Sequence, residues 1–99
     1  MRKTAAISRP ASRWFIYILR CADTTLYTGI TKDLGRRVVE HNSNDRLAAR
    51  YTRARRPVRL VYSEKIKTRT AAARREYEIK QLTREEKKAL MKVRRKPKQ

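Results

Sequence analysis

The stretch Trp14-Phe15-Ile16-Tyr17-Ile18-Leu19 limits the architecture more than any other in the chain. Both of its alternating faces are apolar: Trp14, Ile16 and Ile18 on one, Phe15, Tyr17 and Leu19 on the other. A strand apolar on both sides must be covered on both sides, so it belongs at the centre of a sheet. The polar segment Arg20 to Thr25 follows, and then a second apolar and aromatic run from Leu26 to Ile30. Two such runs around a short polar connection read as an antiparallel β-hairpin. It sets Tyr17 and Tyr27, ten positions apart, on neighbouring strands, with the flexible Gly29 beside them.

Beyond the hairpin, Thr31 or Asp33 can cap a helix that ends at Asn42-Ser43-Asn44. On it Leu34, Val38 and His41 form one stripe, and Arg37 lies one turn from His41. The segment 45–57 reads as irregular. From Arg46 to Arg59 there are six arginines and no acid, with Tyr51 and Thr52 among them. Val58 to Ser63 predicts a third strand. Thr70 to Leu82 predicts a helix that opens on Ala71-Ala72-Ala73. Thr83-Arg84-Glu85-Glu86 matches a capping box and starts a further helix striped by Ala89, Leu90 and Val93. The fold class expected is α/β, a small three-stranded, mainly antiparallel sheet flanked by helices. Residues 1–12 read as a flexible basic arm, 13–91 as the domain and 92–99 as a basic tail stopped by Pro97.

Charge narrows the partners. With 28 basic and nine acidic residues the net charge is +19 on 99 residues. That much self-repulsion calls for a polyanion, and nucleic acid is the commonest. No run approaches the roughly 20 apolar residues that a bilayer requires, and no signal peptide is visible, so a cytoplasmic protein without a membrane role is expected. Cys21 has no second cysteine to pair with, and a single histidine leaves no zinc set.

Glu76 is the most informative acid. Its helical neighbours Ala72, Ala73 and Ile79 form the apolar face, where a carboxylate needs a cation. An arginine or lysine would serve structurally, and a divalent metal functionally, with Mg²⁺ suited to one carboxylate and several waters. Arg37 and His41 read as a solvated pair or, over the strand bearing Tyr27, as groups that hold a phosphate and move a proton or position a water. Tyr17 and Tyr27 read as sheet aromatics or as site phenols, poor bases unless cations lower their pKa. The basic run, with Arg46, Arg50, Arg53, Arg55, Arg56 and the interleaved Tyr51, suits phosphate contacts and stacking.

Taken in order, Tyr17, Tyr27-Thr28-Gly29, Arg37, His41 and Glu76 through Ile79-Lys80 resemble the GIY-YIG nuclease superfamily. Trp14 to Cys21, Tyr51-Thr52-Arg53 and Leu60-Val61-Tyr62 look like its compact single-domain bacterial, UPF0213-like branch. The resemblance spans about residues 13 to 91. It implies that Tyr17 and Tyr27 are the signature tyrosines, Gly29 the signature glycine, Arg37 the catalytic arginine and Glu76 the single metal ligand. His41 matches a position where members carry His or Tyr. It further implies a Mg²⁺- or Mn²⁺-dependent endonuclease acting on DNA, branched or single-stranded among the candidates, in repair or recombination. Lys80 joins the nucleic-acid contacts, and a protein partner fits the small size. The alternative is a basic binder of RNA or DNA without catalysis.

Overall fold

A computed structural model describes residues 13–95. The proposed arm and the helix stop at Pro97 lie outside the described residues. Strand β1, Trp14–Arg20, is followed by β2, Leu26–Thr31, and by helix α1, Leu34–Ser43. A single turn of helix, α2, spans Arg50–Arg53. Strand β3, Arg59–Ile66, leads to helices α3, Arg69–Lys80, and α4, Arg84–Arg95.

The sheet runs β2-β1-β3, antiparallel throughout, so the doubly apolar strand is the central one. Its alternation divides the core in two. Ile16 and Ile18, fully buried, face Ala72 and Ile79 of α3 together with Tyr62, Leu90 and Met91. Tyr17, Leu19 and Cys21 face the other way, against Val58, Tyr27, Tyr51 and the Leu34-Val38 stripe of α1. Burial of a leucine- or isoleucine-sized side chain stabilises by about 1.5–3 kcal/mol, so the four buried residues Ile16 to Leu19 anchor both layers.

Local chemistry sets the ends of the elements. The Asp33 carboxylate accepts the Arg36 amide at 3.0 Å and caps α1. Thr68 caps α3 by accepting from the Ala71 amide, so that helix begins at Arg69, one residue before the sequence expectation. The capping box at α4 is closed in both directions: the Thr83 amide donates to Glu86 at 2.8 Å, and the Glu86 amide donates to Thr83.

Four expectations need amendment. The segment 45–57 is not wholly irregular, because α2 interrupts it. The third strand runs on to Ile66, since β1 offers pairing partners as far as Trp14. Ala89 is exposed, Leu90 and Met91 pack on the core, and the expected place of the Val93 side chain lies outside what is described. That helix continues to Arg95, past the expected domain end at 91.

Candidate active site

Antiparallel register brings the first site residues together. Tyr17 pairs with Gly29, and Leu19 pairs with Tyr27. Tyr17 and Tyr27 are thus diagonal neighbours on one face, with ring centroids 6.4 Å apart. The Tyr17 ring lies over Gly29. A β-carbon at Gly29 would stand 2.5 Å from the Tyr17 hydroxyl oxygen and 2.7 Å from Cζ. Gly29 has no positive φ, so what the site needs from it is the missing side chain rather than flexibility.

Helix α1 then lowers His41 onto the two phenols. The imidazole is fully buried, 5.8 Å from the Tyr17 ring and 5.4 Å from the Tyr27 ring by centroid. Its Nε2 lies 2.8 Å from the Tyr17 hydroxyl, and its Nδ1 lies 2.6 Å from Thr52 Oγ1. The direction of these bonds follows from proton counting. Thr52 has one hydroxyl proton, which goes to the Ala49 carbonyl at 3.1 Å. Thr52 therefore accepts from Nδ1–H, and the Nε2 lone pair of the neutral ring accepts the Tyr17 proton. Thr52 is a site residue that sequence reasoning passed over. Its signal was an uncharged hydroxyl residue inside a run of arginines.

The electrostatics agree with that protonation state. Burial, with the Arg37 charge adding to it, pushes the His41 pKa down to about 4. Burial pushes Tyr17 up to about 12; Arg37 opposes the rise, and Tyr27 and Glu76 add to it. Both nitrogens of His41 are committed, so no atom of the ring is left to hold a water.

Arg37 lies at the rim of this cluster, its side chain 24% exposed. Its Nη1 donates to Glu40 at 2.9 Å and to the Leu47 carbonyl at 2.7 Å, which fixes the guanidinium beside Tyr17. Glu76 comes from α3, whose buried residues Ala72 and Ile79 pack beneath the opposite face of β1 and the edge strand β2. Its carboxylate is nevertheless near enough for its charge to act on Tyr17. The one ion pair that it makes among the described residues is with Lys80, at 3.3 Å, one turn along the helix. Lys80 is half exposed, and such i,i+4 pairs contribute only about 0.3–0.5 kcal/mol.

The basic segment divides by role. Arg46, Arg50 and Arg53 are exposed and pair with no carboxylate among the described residues. Arg55 stacks on the Tyr51 ring at 3.9 Å and pairs with Asp23 at 3.0 Å. Tyr51 in turn stacks on Tyr27 at 5.9 Å. Arg56 donates to the His41 carbonyl at 2.8 Å and pairs with Asp45 at 2.9 Å, so it braces the end of α1.

A pH dependence follows. The unfolded chain protonates His41 near its ordinary 6.5, whereas the folded protein resists until about 4. Stability is therefore complete above 6.5 and falls as the pH drops towards 4. Between pH 7.5 and 5.0 this one group should cost about 2 kcal/mol. Denaturant midpoints of the wild type and His41→Gln at the two pH values check it, with imidazole NMR expected to show a neutral Nδ1–H ring at pH 5.0. A protonated ring at that pH, or equal losses in both proteins, would refute this account of the site.

Comparison with known proteins adds the following. Residues 13–89 match the family described as the GIY-YIG catalytic domain. The UPF0213 protein of Desulfotalea psychrophila is 56% identical over 85 residues, which cover 86% of this chain and 74% of that one. A UPF0213 protein of Staphylococcus aureus is 50% identical over 80 residues, 81% of this chain and 95% of that one. The solution NMR structure of a UPF0213 protein from Bacillus halodurans matches at 39% identity with a TM-score of 0.55, over 86% of this chain and 88% of that one. That of a protein from E. faecalis matches at 35% identity with a TM-score of 0.60, over 88% and 91%.

Proposed function

The chain belongs to the GIY-YIG catalytic-domain family, and from that premise we propose that it is a divalent-metal-dependent endonuclease that hydrolyses DNA phosphodiester bonds. The observation that carries this reading is convergence on one hydroxyl. Tyr17 is hydrogen-bonded to His41 and feels the charges of Arg37 and Glu76.

The donor set suits Mg²⁺ or Mn²⁺. Among the described residues no group of three or more His, Cys, Asp or Glu could form a protein cage. A lone carboxylate with a weak, displaceable lysine partner suits an ion that keeps several waters. Glu76 would hold it. An ion held there would supply Lewis-acid stabilisation of the charge that builds up on the phosphate.

The chain's own groups do the rest. Tyr17 donates its hydroxyl hydrogen bond to His41 Nε2, so its oxygen accepts from the Arg37 guanidinium, and Tyr27 beside it lines up the attacking water. His41 does not take that proton away. Burial holds the phenol above its ordinary pKa and the imidazole below its own, so the proton stays on Tyr17. His41 is thus a positioning residue, and Thr52 holds it in the productive tautomer. Arg37 neutralises the charge that develops on the phosphoryl oxygens. Arg46, Arg50, Arg53, the Tyr51 ring and Lys80 meet the nucleic-acid backbone and bases; Arg55 and Arg56 chiefly hold that surface in shape.

The second reading, a basic nucleic-acid binder without catalysis, rests on the +19 charge alone. Supercoiled plasmid and branched oligonucleotides, incubated with Mg²⁺, Mn²⁺ or chelator, separate the two. Wild type should nick or linearise DNA only with metal, and Tyr17→Phe should bind equally but cut at least about a hundredfold more slowly. Binding without cutting on every substrate would leave the second reading standing. DNA is favoured over RNA by the family, and a role in repair or recombination, in the cytoplasm, is the setting proposed for such an activity. No helix among the described residues is long and apolar enough to cross a membrane.

A further inference from the structure

The hairpin end of the sheet carries an arrangement that the site above does not use. Arg20 of β1 and Arg59 of β3 are direct partners across the antiparallel ladder. Directly opposed residues project from the same face, and like charges there are destabilising. Sequence offered the pair other partners. Asp23 lies three residues from Arg20, yet its carboxylate is taken by Arg55 at 3.0 Å and by the Thr25 amide and hydroxyl. Neither Arg20 nor Arg59 forms an ion pair with a carboxylate among the described residues.

Both arginines line one cavity of about 330 Å³ between the hairpin turn and the start of β3. No acid lines it; the remaining wall includes the Thr24 side of the turn and apolar Val58. The volume exceeds what a phosphate group needs and falls within the range of small-ligand pockets. The walls are held in place. Ala22 donates its amide to the Arg55 carbonyl at 2.9 Å, and the Val58 backbone is gripped on both sides by the Asn42 amide, at 2.7 and 2.8 Å. Two arginines that are cross-strand partners and line one acid-free cavity can supply the planar forks that phosphate oxygens take.

We propose that Arg20 and Arg59 form a second phosphate site, which holds the nucleic-acid backbone at the hairpin end of the sheet, apart from the Tyr17 cluster. Arg55 links the two places, since it ties the turn at Asp23 to the Tyr51 ring that stacks on Tyr27. A bound strand thereby gains a second grip, which fixes its direction across the site. This inference rests on the reading of the chain as a nucleic-acid enzyme.

The test is DNA binding by fluorescence anisotropy across a salt series, for wild type and the double variant Arg20→Gln/Arg59→Gln, with thermal unfolding of both in parallel. Loss of one phosphate contact should flatten the slope of log affinity against log salt by about 0.9. Affinity should fall roughly tenfold at low salt, as expected for loss of a charge-assisted contact. Without an anion the variant should unfold at the same or a higher temperature, because the opposed charges are gone. Inorganic phosphate at constant ionic strength should raise the wild-type midpoint more than the variant's. An unchanged salt slope overturns the proposal, as does a variant that is both weaker-binding and less stable, since that marks a structural pair. Stabilisation by phosphate with unchanged DNA binding assigns the cavity to a free phosphate and overturns the backbone grip. If wild type itself binds DNA without salt dependence, the fault lies with the nucleic-acid reading and not with this cavity alone.

Discussion

Replacing Glu76 by glutamine is expected to reduce metal-dependent DNA cleavage on the order of a thousandfold while leaving DNA affinity nearly unchanged. Glutamine keeps the shape and one oxygen but loses the charge that a divalent cation needs. Binding should not suffer, because the substitution makes a protein of +19 more positive by one. Stability should move by less than about 0.5 kcal/mol, since the carboxylate's ion pair is with a half-exposed lysine one turn away. Cleavage at the wild-type rate would remove Glu76 from the chemistry.

The parts of this picture that sequence could reach share one property: each depends on short-range periodicity or on a local pairing rule. The doubly apolar Trp14–Leu19 run can only be a central strand, and it is. The Thr83-Glu86 capping box is read from four residues, and both of its bonds form. Tyr17 and Tyr27 on one face follow once the hairpin register is fixed. What stayed hidden depends on contacts between elements far apart in the chain. Thr52 lies 11 residues from His41, and nothing local tells that its hydroxyl meets the imidazole. The division of the arginines was equally hidden: Arg55 and Arg56 carry the same side chain as Arg53, and tertiary partners such as Asp23, Asp45 and the His41 carbonyl set them apart. Glu76 was marked by its apolar helical neighbours, which are real, yet α3 packs beneath the face opposite Tyr17. Helical spacing carries no information on which face of the sheet the helix covers. A pattern of residues can thus nominate a site, but the hydrogen-bond directions that give each member its task come from tertiary structure.

The close contact between Gly29 and Tyr17 leads to the largest stability effect. Gly29→Ala is expected to destabilise the fold by about 3 kcal/mol, the balance of three contributions. An added β-carbon would lie 2.5 Å from the Tyr17 hydroxyl oxygen, 2.7 Å from Cζ and 3.2 Å from Cε2, so ring or strand must shift. Tyr17 has little freedom to do so: it is 1% exposed, pinned to His41 and wedged against Tyr27. Overpacking of this kind costs about 1–3 kcal/mol. A ring that swings away also leaves the buried Nε2 without its donor, about 1–3 kcal/mol more. Against these stands a gain of about 0.4–1 kcal/mol, because alanine restricts the unfolded chain more than glycine does. Denaturant unfolding of Gly29→Ala, alone and combined with changes at Tyr17, identifies the source. Tyr17→Phe removes only the hydroxyl and leaves Cζ in the way, so it should relieve little. Tyr17→Leu removes the crowded ring atoms, and the double variant should be more stable than the sum of the two single losses by about 1–2 kcal/mol. Additive losses in Gly29→Ala/Tyr17→Leu would mean that the glycine is required for something other than the space its neighbour's ring fills.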